Sequence, residues 1–281
     1  MKNFCGIEIE KANLADAEIL LQSIPYDGTS TWGKGADRGF DAFLDALENM
    51  EVYDIETDSE VYQRGVYILE SLGPYRSPEE MVEDVYETAE QLIALDRFPT
   101  FFGGEHSISI GIIRAMRERY DWLSVLQIDA HADLRPSYMG TPFNHACALH
   151  ESSQHDNLVQ VGIRSAEKEE MQFAQEGNVF FAHQMHGHEE WMQASIDRLG
   201  KEVYLTIDLD ALDPSILPGT GTPEPGGFQW YELLKYLRML FEQREVVGFD
   251  IVELAPISGH RASEFLAAKL YYKLLSYRFE L

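Results

Sequence analysis

The sequence predicts an α/β fold: a single three-layer α/β/α domain over 1–281, with a mostly parallel sheet of about eight strands. Three observations carry this. Strand-like and helix-like patterns alternate from Ile19 to Ser276, as they do where parallel strands are covered by helices on both sides. Metal-grade side chains sit where strand patterns end, the edge at which open α/β sheets collect ligands. No strong linker, low-complexity tract or internal repeat interrupts the chain, so one domain is the simplest division.

In chain order the predicted strands cover 19–24, 52–55, 99–102, 123–128, 158–163, 179–181, 203–207 and 246–251, each an apolar run of strand length. Helical patterns cover 41–48, 78–95, 108–120, 189–199, 230–243 and 263–276. After the buried-strand pattern Phe98-Pro99-Thr100-Phe101-Phe102, the pair Gly103-Gly104 permits a tight turn or a close backbone approach. The stretch from Pro214 to Gly227 is rich in Pro and Gly; its place directly after an acidic motif favours an active-site loop over a linker.

Composition excludes several functions. A formal charge of −26 leaves no general phosphate-binding surface, so nucleic acid is not an expected partner. Solubility is its main explanation, with modest steering of a cationic ligand as a second effect. Cys5 and Cys147 are the two cysteines, too few for a disulfide framework or a thiolate metal cluster. Lys2 is followed by no sustained apolar core like that of a signal peptide, and no apolar run is long enough to span a bilayer; the expectation is cytoplasmic, without a membrane partner.

The chemistry concentrates in three short stretches. Asp129-Ala130-His131-Ala132-Asp133 closes the strand pattern of Leu123, Val125, Leu126 and Ile128 with three ligand types at alternating positions. Alternate strand residues point to one side, so these groups share a face. Val203 to Ile207 runs in the same way into Asp208-Leu209-Asp210, and His106 follows Gly103-Gly104-Glu105 at a strand-to-helix turn. A lone Asp there is more often a cap. Several acids and imidazoles on neighbouring strand ends would repel one another without cations, and carboxylates able to bridge two ions favour a manganese or magnesium pair over structural zinc. His183, His186 and His188 lack carboxylate partners in the sequence and read as surface or helix-start residues.

Gly103-Gly104-Glu105-His106-Ser107, Asp129 to Asp133 and Asp208 to Pro214, in this order, resemble the metal signatures of the ureohydrolase family, which contains arginases and agmatinases; the likeness runs from about Ile24 to the last helix. The resemblance implies an arginase-like fold and two Mn2+ per chain. One ion would be held by His106, Asp129, Asp133 and Asp208, the other by Asp129, His131, Asp208 and Asp210, with a bridging hydroxide as nucleophile at the guanidinium carbon. Asp133 would pass a proton to the leaving nitrogen. His145 resembles the family's proton-shuttling histidine, and Glu253 the carboxylate that pairs with the guanidinium, so both also count as substrate contacts. Glu167 falls near the position at which members of the family contact the substrate's far end, and would suit a cationic tail if it faces the pocket.

The segment from Asp133 to Ala146 is similar to the agmatinase version of this region, so the leading expectation is agmatine hydrolysis to putrescine and urea, a step of polyamine biosynthesis. Guanidinobutyrate, arginine and aminopropylagmatine are the alternative substrates. A one-zinc deacylase and a catalytically silent binding subunit are the alternative classes. The family likeness further implies a homotrimer or homohexamer.

Overall fold

The computed structural model describes residues 3–155 and 157–281; Lys2 lies outside them. Eight strands form one sheet: β1 (Ile19–Ile24), β2 (Val66–Ile68), β3 (Phe98–Gly103), β4 (Ser124–Ile128), β5 (Leu158–Ile163), β6 (Val179–Phe181), β7 (Glu202–Asp208) and β8 (Glu245–Val252). Their order is β2-β1-β3-β8-β7-β4-β5-β6, and every pair is parallel. The chain lays β1 to β3 on one side and β4 to β6 on the other, then returns to insert β7 and β8 between them. The carboxyl ends of β3, β8, β7 and β4 therefore stand side by side at the switch point of the sheet, where open α/β folds form their crevice.

The helices are α1 (Gly39–Leu47), α2 (Pro78–Ile93), α3 (Ile108–Arg119), α4 (His150–Ser153), α5 (Ala182–Met185), α6 (Glu190–Ile196), α7 (Trp230–Gln243) and α8 (Ala262–Glu280). Residues of α1, α6, α7 and α8 pack into one core, and those of α2 and α3 into a second. Strand residues alternate between the two cores: Ile19 and Leu21 face the first and Leu20 the second, as do Leu126 and Ile128 against Val125. This is the three-layer arrangement the alternating patterns predict. The start of α2 shows local sequence acting directly: Ser77 accepts a hydrogen bond from the Glu80 amide at 3.2 Å, Pro78 takes the first turn, and Glu79 and Glu80 complement the helix dipole.

One predicted strand is wrong. Residues 52–55 form no strand: Tyr53 and Ile55 are 50% and 84% exposed, while Asp54 makes an isolated antiparallel bridge to Ser59 and binds Lys273 of α8 at 2.9 Å. The eighth strand is β2, whose three residues pair with β1 alone. The last helix runs past the predicted 276 to Glu280.

Candidate metal centre

His106 follows β3, Asp129 follows β4, Asp208 ends β7 and Glu253 follows β8, so four adjacent strands deliver the site. The turn that presents His106 depends on Gly104, packed against the end of β1: a Cβ there would lie 1.8 Å from the Tyr26 carbonyl oxygen, and the Gly104 amide bonds Ile24 O at 2.8 Å. Of the two uses open to the glycine pair, close backbone approach is the one found at Gly104.

His106 Nδ1 is buried without a hydrogen-bond partner and faces three carboxylate oxygens: Asp129 Oδ2 at 3.1 Å, Asp133 Oδ2 at 3.1 Å and Asp208 Oδ2 at 3.4 Å. His131 Nδ1 lies 2.8 Å from Asp210 Oδ2 and 3.8 Å from Asp129 Oδ1. Two groups able to hold a cation result, His106 with Asp129 and Asp208, and Asp129 with His131 and Asp210. Asp129 belongs to both. Asp133 stands against the first through His106, and Asp208 groups with the first alone. Among the described residues His183, His186 and His188 form no such group.

The electrostatics ask for cations. Burial, then repulsion from Asp210 and Asp133, pushes Asp129 up to about 7. Asp208 is raised well above the usual carboxylate range by burial and by Asp210 and Asp129. Burial opposes protonation of both imidazoles, yet the surrounding acids lift His131 to about 11 and His106 well above 6.5. Four buried aspartates with a partnerless ring nitrogen match the charge of two divalent ions, and their oxygen and imidazole donors suit hard or borderline metals. The residues fit such a pair.

A layer behind the ligands holds them, and sequence reading missed it. Gln127 donates to Asp129 Oδ2 at 2.7 Å, and Gln160 donates to Gln127 Oε1 at 2.6 Å. His106 Nε2 meets Thr206 Oγ1 at 2.9 Å; Thr206 donates to Asp250 Oδ1 at 2.6 Å, and Ser109 and Tyr204 donate to Asp250 Oδ2. An acid inside the apolar run from Val246 to Val252 was the available signal for Asp250. The Arg164 guanidinium donates to the Asp210, Glu224 and Pro225 carbonyls, and Asp213 accepts from the Ser215, Gly226 and Gly227 amides, so the Pro/Gly-rich segment is pinned against the site.

A cavity of about 250 Å³ opens over the ligands and is lined by His131, Asp133, His145, Glu167, Asp210 and Glu253 among others. Every predicted site residue thus lies in this region, at different depths. Glu253 is buried, and its Oε1 accepts from the His106 amide at 2.9 Å. His145 sits in the β4–β5 connection, where burial lowers its pKa and leaves the ring neutral near pH 7. Glu167 lies at the mouth with its side chain 60% exposed, 3.4 Å from Arg135 Nη2; Arg135 stacks on Tyr138 at 4.4 Å. No helix among the described residues is long and apolar enough to cross a membrane.

A sequence model described as the arginase family matches residues 17–276. An N(1)-aminopropylagmatine ureohydrolase of Synechocystis sp. is 38% identical, covering 94% of this chain and 90% of its own length. An agmatinase of Pyrococcus horikoshii is 29% identical over 96% of this chain and 95% of its own. The crystal structure of agmatine ureohydrolase from Thermoplasma volcanium superimposes with a TM-score of 0.87 at 27% identity, covering 100% of this chain and 95% of that one.

Proposed function

The chain belongs to the arginase family, and on that premise we propose that it hydrolyses the guanidinium group of a cationic-tailed alkylguanidine to urea and an amine. The observation that carries this is the pair of ligand groups sharing Asp129 beneath an acid-lined cavity. In this reading His106, Asp129, Asp133 and Asp208 hold one Mn2+, and Asp129, His131, Asp208 and Asp210 the other. A metal pair held there would lower the pKa of water into the neutral range and so supply the nucleophile.

The chain's own groups do the rest. Glu253 keeps Oε1 on the His106 amide and turns Oε2 to a guanidinium N–H, which orients the carbon to be attacked. Asp133 has Oδ2 toward His106, which leaves Oδ1 to take the proton given up by the attacking oxygen and pass it to the leaving nitrogen. His145 exchanges protons between the cavity and solvent. Glu167 at the mouth favours an ammonium tail over a carboxylate one, which counts against guanidinobutyrate and arginine.

Two substrates meet these conditions. Agmatine is the expectation from the segment between Asp133 and Ala146; aminopropylagmatine is favoured by the higher identity to the Synechocystis relative and by the acid at the mouth. The test is urea release by manganese-loaded protein from agmatine, aminopropylagmatine, guanidinobutyrate and arginine in parallel, with metal counted per chain. About two ions and a preference for one of the first two are expected; a fully active one-metal enzyme or a preference for an anionic tail contradicts the reading. We take it to work as a homotrimer or homohexamer, on the family resemblance alone, and in the cytoplasm, as the default expectation for the sequence; sedimentation velocity giving a monomer in active protein, or fractionation to another compartment, overturns this.

A further inference from the structure

Behind His145 runs a hydrogen-bonded chain that the metal and substrate roles do not use. Glu105 is fully buried and accepts from Ser107 N at 3.1 Å, Ser107 Oγ at 2.9 Å, Thr29 N at 3.3 Å and Thr29 Oγ1 at 2.9 Å. All four partners are donors, which suits a carboxylate acting as acceptor throughout. A hydroxyl has one hydrogen to give, and Thr29 commits it to Glu105 Oε1.

The lone pairs of Thr29 Oγ1 are then left for His145, which approaches twice: its amide nitrogen at 3.0 Å and ring Nδ1 at 3.1 Å. With its hydrogen on Glu105, Thr29 can only accept from Nδ1. The ring proton therefore belongs on Nδ1, and Nε2 carries the lone pair. A histidine whose tautomer is set by the partner of one nitrogen presents the other for chemistry.

We infer that Thr29, backed by Glu105, is a positioning residue that locks His145 in the Nδ1–H tautomer, so that Nε2 is the atom that takes and returns protons in the cavity. The inference rests on the reading of His145 as a proton carrier. Proton bookkeeping closes on His145 itself. Nε2 takes a proton from solvent to give imidazolium while Nδ1–H stays on Thr29 Oγ1, and release of that proton into the cavity, to the product amine, restores the neutral ring. No bond to Thr29 or Glu105 forms or breaks.

The test uses Thr29→Val, which keeps the shape and removes the acceptor, and Thr29→Ser, which restores it. Magic-angle-spinning 15N spectra of histidine-labelled, metal-free protein report the tautomer, with His145→Asn identifying the His145 signals by difference. Wild type and Thr29→Ser should show Nδ1–H at His145, and Thr29→Val a mixed or Nε2–H form. In the metal-loaded enzyme Thr29→Val should lower kcat about 10–100-fold with KM changed less than about twofold and metal content intact, and serine should recover most of the rate. Thr29→Ala tests the same loss without a branched side chain. An unchanged tautomer, a wild-type kcat, or a rate that falls only in step with lost metal overturns the inference. Wild type that releases no urea from any guanidine overturns the functional reading, while the spectra still decide the tautomer.

Discussion

Asp133 and Glu253 hold φ angles of +52° and +66°, in the left-handed region that non-glycine residues seldom adopt. Both belong to the site, where such local strain is tolerated because neighbours fix the geometry: the Glu253 amide bonds Gly104 O at 2.8 Å, and the Asp133 carbonyl accepts from the Leu149 amide at 3.0 Å. Glu253→Gln keeps this shape and removes the charge. A charge-assisted hydrogen bond contributes about 2 kcal/mol, so kcat/KM should fall about 30-fold with metal content unchanged, measured by urea release; a loss of bound metal instead would assign Glu253 to the metal centre. The two thiols give a pH prediction of definite sign. Burial raises Cys5 and Cys147 to about 12, so neither is a thiolate near pH 8, and a thiol reagent should label both only after unfolding; rapid labelling of native protein would contradict this. The groups able to hold a cation, His106, Asp129, His131, Asp208 and Asp210, were legible in the sequence because their types and alternate spacing are local. Thr206, Asp250 and Thr29 were not, because each matters through a side chain far away in the chain, as Thr29 does through Glu105 and His145.

At the scale of elements, the strand ends and the connections after them position the chemistry. Strands β1 and β5 match the predicted limits residue for residue, since an unbroken buried run leaves little freedom in its limits, and the half-buried β6 matches as well. The misread run at 52–55 and the unread β2 have one cause: a short apolar segment becomes a strand when a neighbour offers an edge, and that neighbour is set by topology. The turn after β3 is the most constrained of these junctions. Gly104→Ala brings a methyl within 1.8 Å of a backbone oxygen, so strand β3 or the segment carrying Tyr26 must move. The expected cost is about 3 kcal/mol or more by urea unfolding, with weakened metal binding at His106. A loss below about 1 kcal/mol would mean that the junction is looser than its geometry implies.

At the scale of the molecule, one sheet shared by two cores leads us to propose that 1–281 is one domain. Metal-free protein should then lose circular dichroism and tryptophan fluorescence in a single coincident urea transition; two separated transitions would divide it. Charge acts at the same scale. With 48 acidic against 22 basic side chains, the field around the protein is negative. A substrate bearing two or more positive charges should be drawn in faster than diffusion alone allows, by up to about 10-fold at low salt. The Debye length shrinks from about 30 Å at 0.01 M to about 3 Å at 1 M, so added salt removes the long-range attraction but not the contacts made after binding. Accordingly kcat/KM should fall with ionic strength while kcat stays level, and the slope should steepen from butylguanidine, with one charge, to agmatine and on to aminopropylagmatine. A slope independent of substrate charge would confine the excess acid to solubility and leave selection of the tail to groups at the mouth such as Glu167 and Arg135.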